Sequence, residues 1–300
     1  MSYPDIALGL ILVGLSAYLL FGGADFGAGL WHLLSRRPSW RQDREVIEHA
    51  MGPLWEANHV WLIFAMVMTW TAFPPVFAEI MSTHWIPLSL AALGIVARGS
   101  SFVFAKAASD AVYPWVFGIS SIVTPYCMGA VAAVIATGGS SWLSPAGVYG
   151  GLLTTGLCAY LAAVYLTWDG RRLGAAGPAL RFRGYALISG AVVGLLALPG
   201  ALTLGVLSPL ITLSALAGVV SLALLVFRRY LAVRVTAALA AATVLWGAAG
   251  LADLDLDAAA AHDAVLQVVF VALGVGALIL VPSMTWLFIL FQRAPKQPVT

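Results

Sequence analysis

Gly22-Gly23-Ala24-Asp25-Phe26-Gly27-Ala28-Gly29 and Gly52-Pro53-Leu54-Trp55-Glu56-Ala57-Asn58-His59-Val60-Trp61 decide how this chain is read. Each stretch sets one carboxylate inside a segment otherwise fit for lipid. An ionisable group at membrane depth is costly, and by default it marks a functional site with a partner elsewhere in the chain. The surroundings of both stretches support that reading. Of 300 residues, 61% are hydrophobic and 9% are charged, against about 25% charged in an ordinary soluble domain.

Working outward, nine apolar segments can be counted, at about 6–35, 52–75, 85–106, 113–136, 147–168, 184–204, 208–227, 232–251 and 264–292. Their length, about 20 residues or more, is that of membrane-spanning helices and excludes a monotopic anchor or an alternating membrane β-barrel. The expected fold is therefore all-α and polytopic, with nine spans. The first segment lacks the basic n-region and small-residue cleavage site of a signal peptide and is read as a retained helix. Pro114, Pro145, Pro178 and Pro209 sit near segment boundaries, where a missing N–H costs least. The sixth and seventh segments form a tight hairpin around Ser208-Pro209.

The loops set the orientation. Arg36, Arg37, Arg41 and Arg44 follow the first segment, and Arg98 and Lys106 lie late in the third. Arg171, Arg172, Arg181 and Arg183 follow the fifth, Arg228, Arg229 and Arg234 the seventh, and Arg293 and Lys296 the ninth. All 15 basic residues thus fall toward one side of a nine-span chain. Asp5, Glu79, Asp253, Asp255, Asp257 and Asp263 fall on the other. The positive-inside rule puts the N-terminus outside and the C-terminus in the cytoplasm. It leaves two longer polar connections, 36–51 and 169–183, on the cytoplasmic side. Basic residues held in short loops between spans give no nucleic-acid surface, and the partner they imply is the lipid bilayer.

Cys127 and Cys158 lie in apolar runs without metal-ligand spacing and read as small packing residues. The small-residue faces at 190–194, 237–242 and 247–250 read as close helix contacts. Most tryptophans fall near segment ends, as interfacial anchors.

Depth isolates the site. At 1.5 Å per residue, Asp25 lies about 16 Å from the cytoplasmic end of its helix, Glu56 roughly 6–8 Å deep and Arg98 about 12 Å. All three therefore occupy the cytoplasmic half of the membrane on consecutive helices. Glu56 and His59 stand at i,i+3 on one helix face, with Asn58 beside them. Two readings follow: a structural ion pair from Arg98 to one carboxylate, or a proton path in which a shallow and a deep carboxylate are tuned by His59 and Arg98. One arginine neutralises one carboxylate, and a low dielectric favours protonation of the other. No catalytic group and no metal site are expected in this chain. A heme ligated by this chain alone would want two buried histidines at matched depth; by depth, only His59 lies clearly inside.

At these motifs the chain resembles subunit II of the cytochrome bd-type quinol oxidases. The matching stretches are the two quoted above, Arg98-Gly99-Ser100-Ser101-Phe102-Val103-Phe104 in the third segment and Thr124-Pro125-Tyr126-Cys127-Met128-Gly129 in the fourth, with a looser match at Leu280-Val281-Pro282. His59 stands where the family commonly has Gln, and Ala105-Lys106 replaces an arginine that often closes the third motif. The resemblance implies two four-helix bundles plus one additional helix, in approximate halves 1–140 and 141–300. It implies an accessory role beside a subunit I that carries the b-type and d-type hemes and the quinol site. The complex would oxidise quinol and reduce O2 to water with protons from the cytoplasm. Asp25 and Glu56 would belong to the proton-conducting or charge-compensating set, with His59 and Arg98. The resemblance also allows a quinone in this subunit, with no residue here placing it, and a small accessory subunit. Two readings stand beside it. A proton-coupled secondary transporter could use the same buried carboxylates, and a self-sufficient membrane cytochrome is disfavoured by the histidine depths.

Overall fold

The computed structural model describes residues 2–35, 41–104, 113–203, 209–250, 252 and 255–292. Within helices, the side chains of 51–57, 102–104, 113, 201–203, 288 and 290–292 fall outside the description. The described residues form eleven helices and no strand: α1 (Tyr3–Leu34), α2 (Arg41–Ala72), α3 (Pro74–Thr83), α4 (Trp85–Phe104), α5 (Tyr113–Ala136), α6 (Pro145–Arg172), α7 (Ala176–Thr203), α8 (Pro209–Val226), α9 (Tyr230–Ala249), α10 (Leu256–Ala259) and α11 (Asp263–Gln292). Among them, α1, α5, α6, α7, α8, α9 and α11 are long and apolar enough to cross a membrane. The second half of α2 together with α3 forms a further candidate, bent by 119°. Pro74 and Pro75 account for the bend, since neither can donate to the preceding turn. α3 is thus a helix of its own, in the place where the sequence reading runs the second segment into a loop.

Two helices organise the packing. α1 packs against α2, α5 and α6, and α6 packs in turn against α5 and α7. The residues from Gly22 to Gly29 are all buried, so α1 is enclosed around its whole circumference there. Small side chains make that enclosure feasible, as close approach between membrane helices requires. A Cβ at Gly27 would fall on the Cys158 carbonyl of α6, and one at Gly23 would lie 3.3 Å from Leu161. Cys127 and Cys158 are buried free thiols. Of the other small-residue faces, Ala237 and Ala241 are buried in the core, while Gly190 seats Leu222 and Tyr160. A Cβ at Gly194 would meet nothing within 4 Å among the described residues.

The outer surface is apolar. α11 is the extreme case, with Leu278 77% and Ile279 72% exposed, as a helix facing lipid or a partner must be. α7 carries Pro199, and its ladder is bridged there by the Tyr149 hydroxyl, which donates to the Leu196 carbonyl at 2.8 Å and accepts from Gly200 N–H at 3.1 Å. A side chain inserted into the ladder is a recognised cause of a bend.

Within the polar stretches 36–51 and 169–183, read from sequence as connections, residues 41–51, 169–172 and 176–183 are helical. α2 begins at Arg41, and its 32 residues measure about 48 Å, well beyond the roughly 30 Å hydrocarbon core. Asp43, Val46, Ile47 and Ala50 are buried at i, i+3, i+4 and i+7 spacing, so this extension packs by an amphipathic face. It is tied to α7 by Asp43, which accepts from Arg181 Nε at 3.0 and 2.9 Å and from Nη2 at 2.6 Å. α7 begins at Ala176, eight residues before the segment read from hydropathy.

Candidate functional site: a buried ion pair on the first helix

Asp25 and Arg98 are 1% and 2% exposed, and the structure joins them. Arg98 Nη2 lies 2.5 Å from Asp25 Oδ1 and donates at 2.8 Å to the Asp25 carbonyl oxygen. The other carboxylate oxygen accepts from Asn58 Nδ2 of α2 at 3.1 Å. Arg98 Nη1 donates to the Ser121 hydroxyl of α5, which itself donates to the Phe117 carbonyl at 2.5 Å. The guanidinium also sits over the Phe117 ring, 4.2 Å from its centroid, with Phe26 at 5.3 Å. Four helices therefore meet on one charge pair. An ion pair in low dielectric is retained only when further hydrogen bonds satisfy its remaining lone pairs and protons, and here hydroxyl, amide and carbonyl groups supply them.

The motif glycines make this geometry possible. A Cβ at Gly29 would overlap the Ser121 hydroxyl and lie 2.6 Å from Arg98 Nη1. A Cβ at Gly22 would lie 3.4 Å from Asn58 Oδ1. In α5, Pro125 cannot donate to the Ser121 carbonyl four residues back, so the ladder is interrupted at the residue that holds Arg98.

Of the residues read from sequence, Asp25 and Arg98 are brought together, with Asn58 as a third member. His59 is the next residue of α2 and is partly exposed. Glu56 lies in α2 two residues before Asn58, and its side chain is outside the described residues. Three participants were not singled out from sequence. Ser121 had no signal. Tyr18 and His32 did: with Asp25 they recur every seven residues, a spacing of about two helical turns that keeps them on one face of α1. Tyr18 is 7% exposed, and its ring is 3.2 Å from where a Gly22 Cβ would lie.

Burial ranks the histidines differently from depth. His32 and His84 are buried at 2% and 4% exposure, whereas His59 is only partly so. His32 Nε2 is 3.7 Å from Glu48 Oε1, and its ring meets Phe117 edge-on at 5.5 Å. His84 caps the end of α3, its N–H donating to the Ile80 carbonyl at 3.0 Å. Glu48 and the far end of α2 are separated by about 36 Å of helix, so the two buried histidines do not form a matched pair for a heme. Among the described residues, no three His, Cys, Asp or Glu side chains converge as a metal-binding group.

The fold and this site define a class: a polytopic helical membrane protein built around a buried carboxylate–guanidinium pair. The chain matches the family model described as cytochrome bd terminal oxidase subunit II over residues 3–291, and it belongs to that family. Its relatives include cytochrome bd ubiquinol oxidase subunit 2 of Bacillus subtilis (strain 168), 25% identical over 183 residues, 55% of this chain and 53% of that protein. A putative cytochrome bd menaquinol oxidase subunit II of the same organism is 24% identical over 121 residues, 40% of this chain and 35% of that one. Cytochrome bd-I ubiquinol oxidase subunit 2 of Escherichia coli (strain K12) is 24% identical over 182 residues, 54% of this chain and 46% of that protein. The chain spans about half the length of the curated relatives it matches. With several helices of spanning length, it is a multi-pass protein of the bacterial cytoplasmic membrane.

Proposed function

We propose that this chain is the accessory subunit II of a cytochrome bd-type quinol oxidase, paired with a larger subunit I. The b-type and d-type hemes belong to that partner and supply electron transfer and O2 reduction. Quinol and O2 react through the complex, and water formation consumes protons taken from the cytoplasm. The observation that carries this reading is the family match over nearly the whole chain. That match does not favour the proton-coupled transporter.

In this reading the chain crosses the membrane nine times with its N-terminus outside. Its first four spans form one bundle, and the remainder forms a second bundle with one additional helix. The Asp25–Arg98 pair, satisfied by Asn58 and Ser121, is the fixed charge-compensating core. Glu56, one turn from His59, is the exchangeable acid, because the one arginine at this depth is already committed to Asp25. A group that gains and loses a proton near neutral pH is what a relay needs.

Purification of the tagged chain from its native membrane in mild detergent tests the assignment. Heme absorbance accompanied by a second, larger membrane chain is the expected result. A lone, colourless chain would overturn it.

A further inference from the structure

Beyond the ion pair, α1 carries a second polar contact that the oxidase reading leaves unused. His32, two turns past Asp25, is 2% exposed, while the carboxylate 3.7 Å from it, Glu48, has 54% of its side chain exposed. A buried imidazole thus touches the aqueous surface through one acidic side chain. Its inner face is closed by the Phe117 ring, 5.5 Å from the His32 ring and 4.2 Å from the Arg98 guanidinium. One aromatic ring therefore touches both the surface-linked histidine and the guanidinium of the buried pair. Glu48 of α2 lies within ion-pair distance of His32, and Arg98 of α4 touches the same Phe117 ring. Further along the same face, Tyr18 Oη, Asn58 Oδ1 and Arg98 Nε are buried without a hydrogen-bond partner among the described residues. Buried polar atoms of this kind are ordinarily satisfied by internal water.

We propose that Glu48 and His32 form the entry of a proton route along α1, with Phe117 as the barrier between this entry and the Asp25–Arg98–Asn58 site. This rests on the reading of the chain as a proton-supplying oxidase subunit. Glu48 collects a proton at the surface. The imidazole accepts it at one ring nitrogen and releases one from the other, so that after each transfer the ring is neutral again and Glu48 is a carboxylate ready to collect the next proton. Displacement of the Phe117 ring opens passage to water held by Asn58 and Tyr18. The three α1 positions 18, 25 and 32 then line one continuous track.

The test uses the assembled oxidase, measuring quinol-dependent O2 consumption, with the reduced-minus-oxidised heme spectrum as the measure of assembly. Glu48→Gln, at an exposed side chain, and His32→Ala should each lower turnover several-fold at unchanged heme content. Added imidazole should restore a substantial part of the His32→Ala loss, which a purely structural defect would not allow. If His32→Ala does not assemble, Glu48→Gln and His32→Gln carry the test. Wild-type turnover in Glu48→Gln and the assembling His32 variant, or a His32→Ala loss that imidazole leaves untouched, would overturn the entry. Glu56→Gln run in parallel separates the two levels. If it alone is slow, the entry is elsewhere; if it too is unimpaired, the proton-supplying reading fails.

Discussion

Arg98 reaches both the side chain and the main chain of Asp25: Nη2 is 2.5 Å from Oδ1 and 2.8 Å from the carbonyl oxygen. A helix carbonyl has a second lone pair to offer, but the side chain four residues on normally leans back over it. Here that residue is Gly29, whose missing Cβ leaves room beside the guanidinium. The Gly-Ala-Asp-Phe-Gly-Ala-Gly run is therefore a device for exposing one helix's backbone to an arginine from another.

Removing the arginine should strand a buried carboxylate. Arg98→Ala is expected to cost about 3–5 kcal/mol and to lower the yield of heme-loaded complex sharply. Arg98→Lys should recover little, because one ammonium cannot serve Asp25 and Ser121 together as the planar fork does. A gel and heme spectrum of membranes expressing each variant check this. Normal yield from Arg98→Ala would contradict the pairing.

The glycines give a paired contrast. Gly29→Ala places a methyl on the Ser121 hydroxyl and should destabilise by about 3 kcal/mol, at the upper end of ordinary overpacking. Gly194→Ala meets open space and should be neutral or slightly stabilising through helix propensity. Thermal unfolding of the solubilised complexes should separate the two by several degrees. Equal midpoints would count against close packing at Gly29.

Asp43 is fully buried, while the Arg181 side chain is one-third exposed, so this pair is partly screened. Asp43→Asn should cost about 1–2 kcal/mol by loosening α2 from α7, without changing the heme spectrum. Limited proteolysis near residues 36–50 should accelerate. An unchanged cleavage rate would show that the apolar face of Val46, Ile47 and Ala50 suffices alone.

These cases mark what was legible in the sequence. Seven helices, with the bent α2–α3 pair as an eighth candidate, announce themselves by length and apolarity, and depth had already set Asp25 and Arg98 in the same half of the membrane. Which carboxylate Arg98 chooses depends on side-chain reach across Gly29, which hydropathy does not encode. The α2 extension was passed over because its charges depress mean hydropathy, although the spacing of Asp43, Val46, Ile47 and Ala50 was there to be read. His32 was passed over because by depth only His59 was read as clearly inside, when the every-seventh-residue pattern with Tyr18 and Asp25 would have placed it on the same face as Asp25.

The most direct test of the central claim, that this subunit supplies protons through the acid of its second helix, is the turnover of the complex carrying Glu56→Gln. Glutamine keeps the shape of the side chain and removes its proton. The account predicts O2 consumption lowered by about tenfold or more at wild-type heme content. Wild-type turnover in that variant would leave Asp25 and Arg98 as a structural pair and contradict the relay.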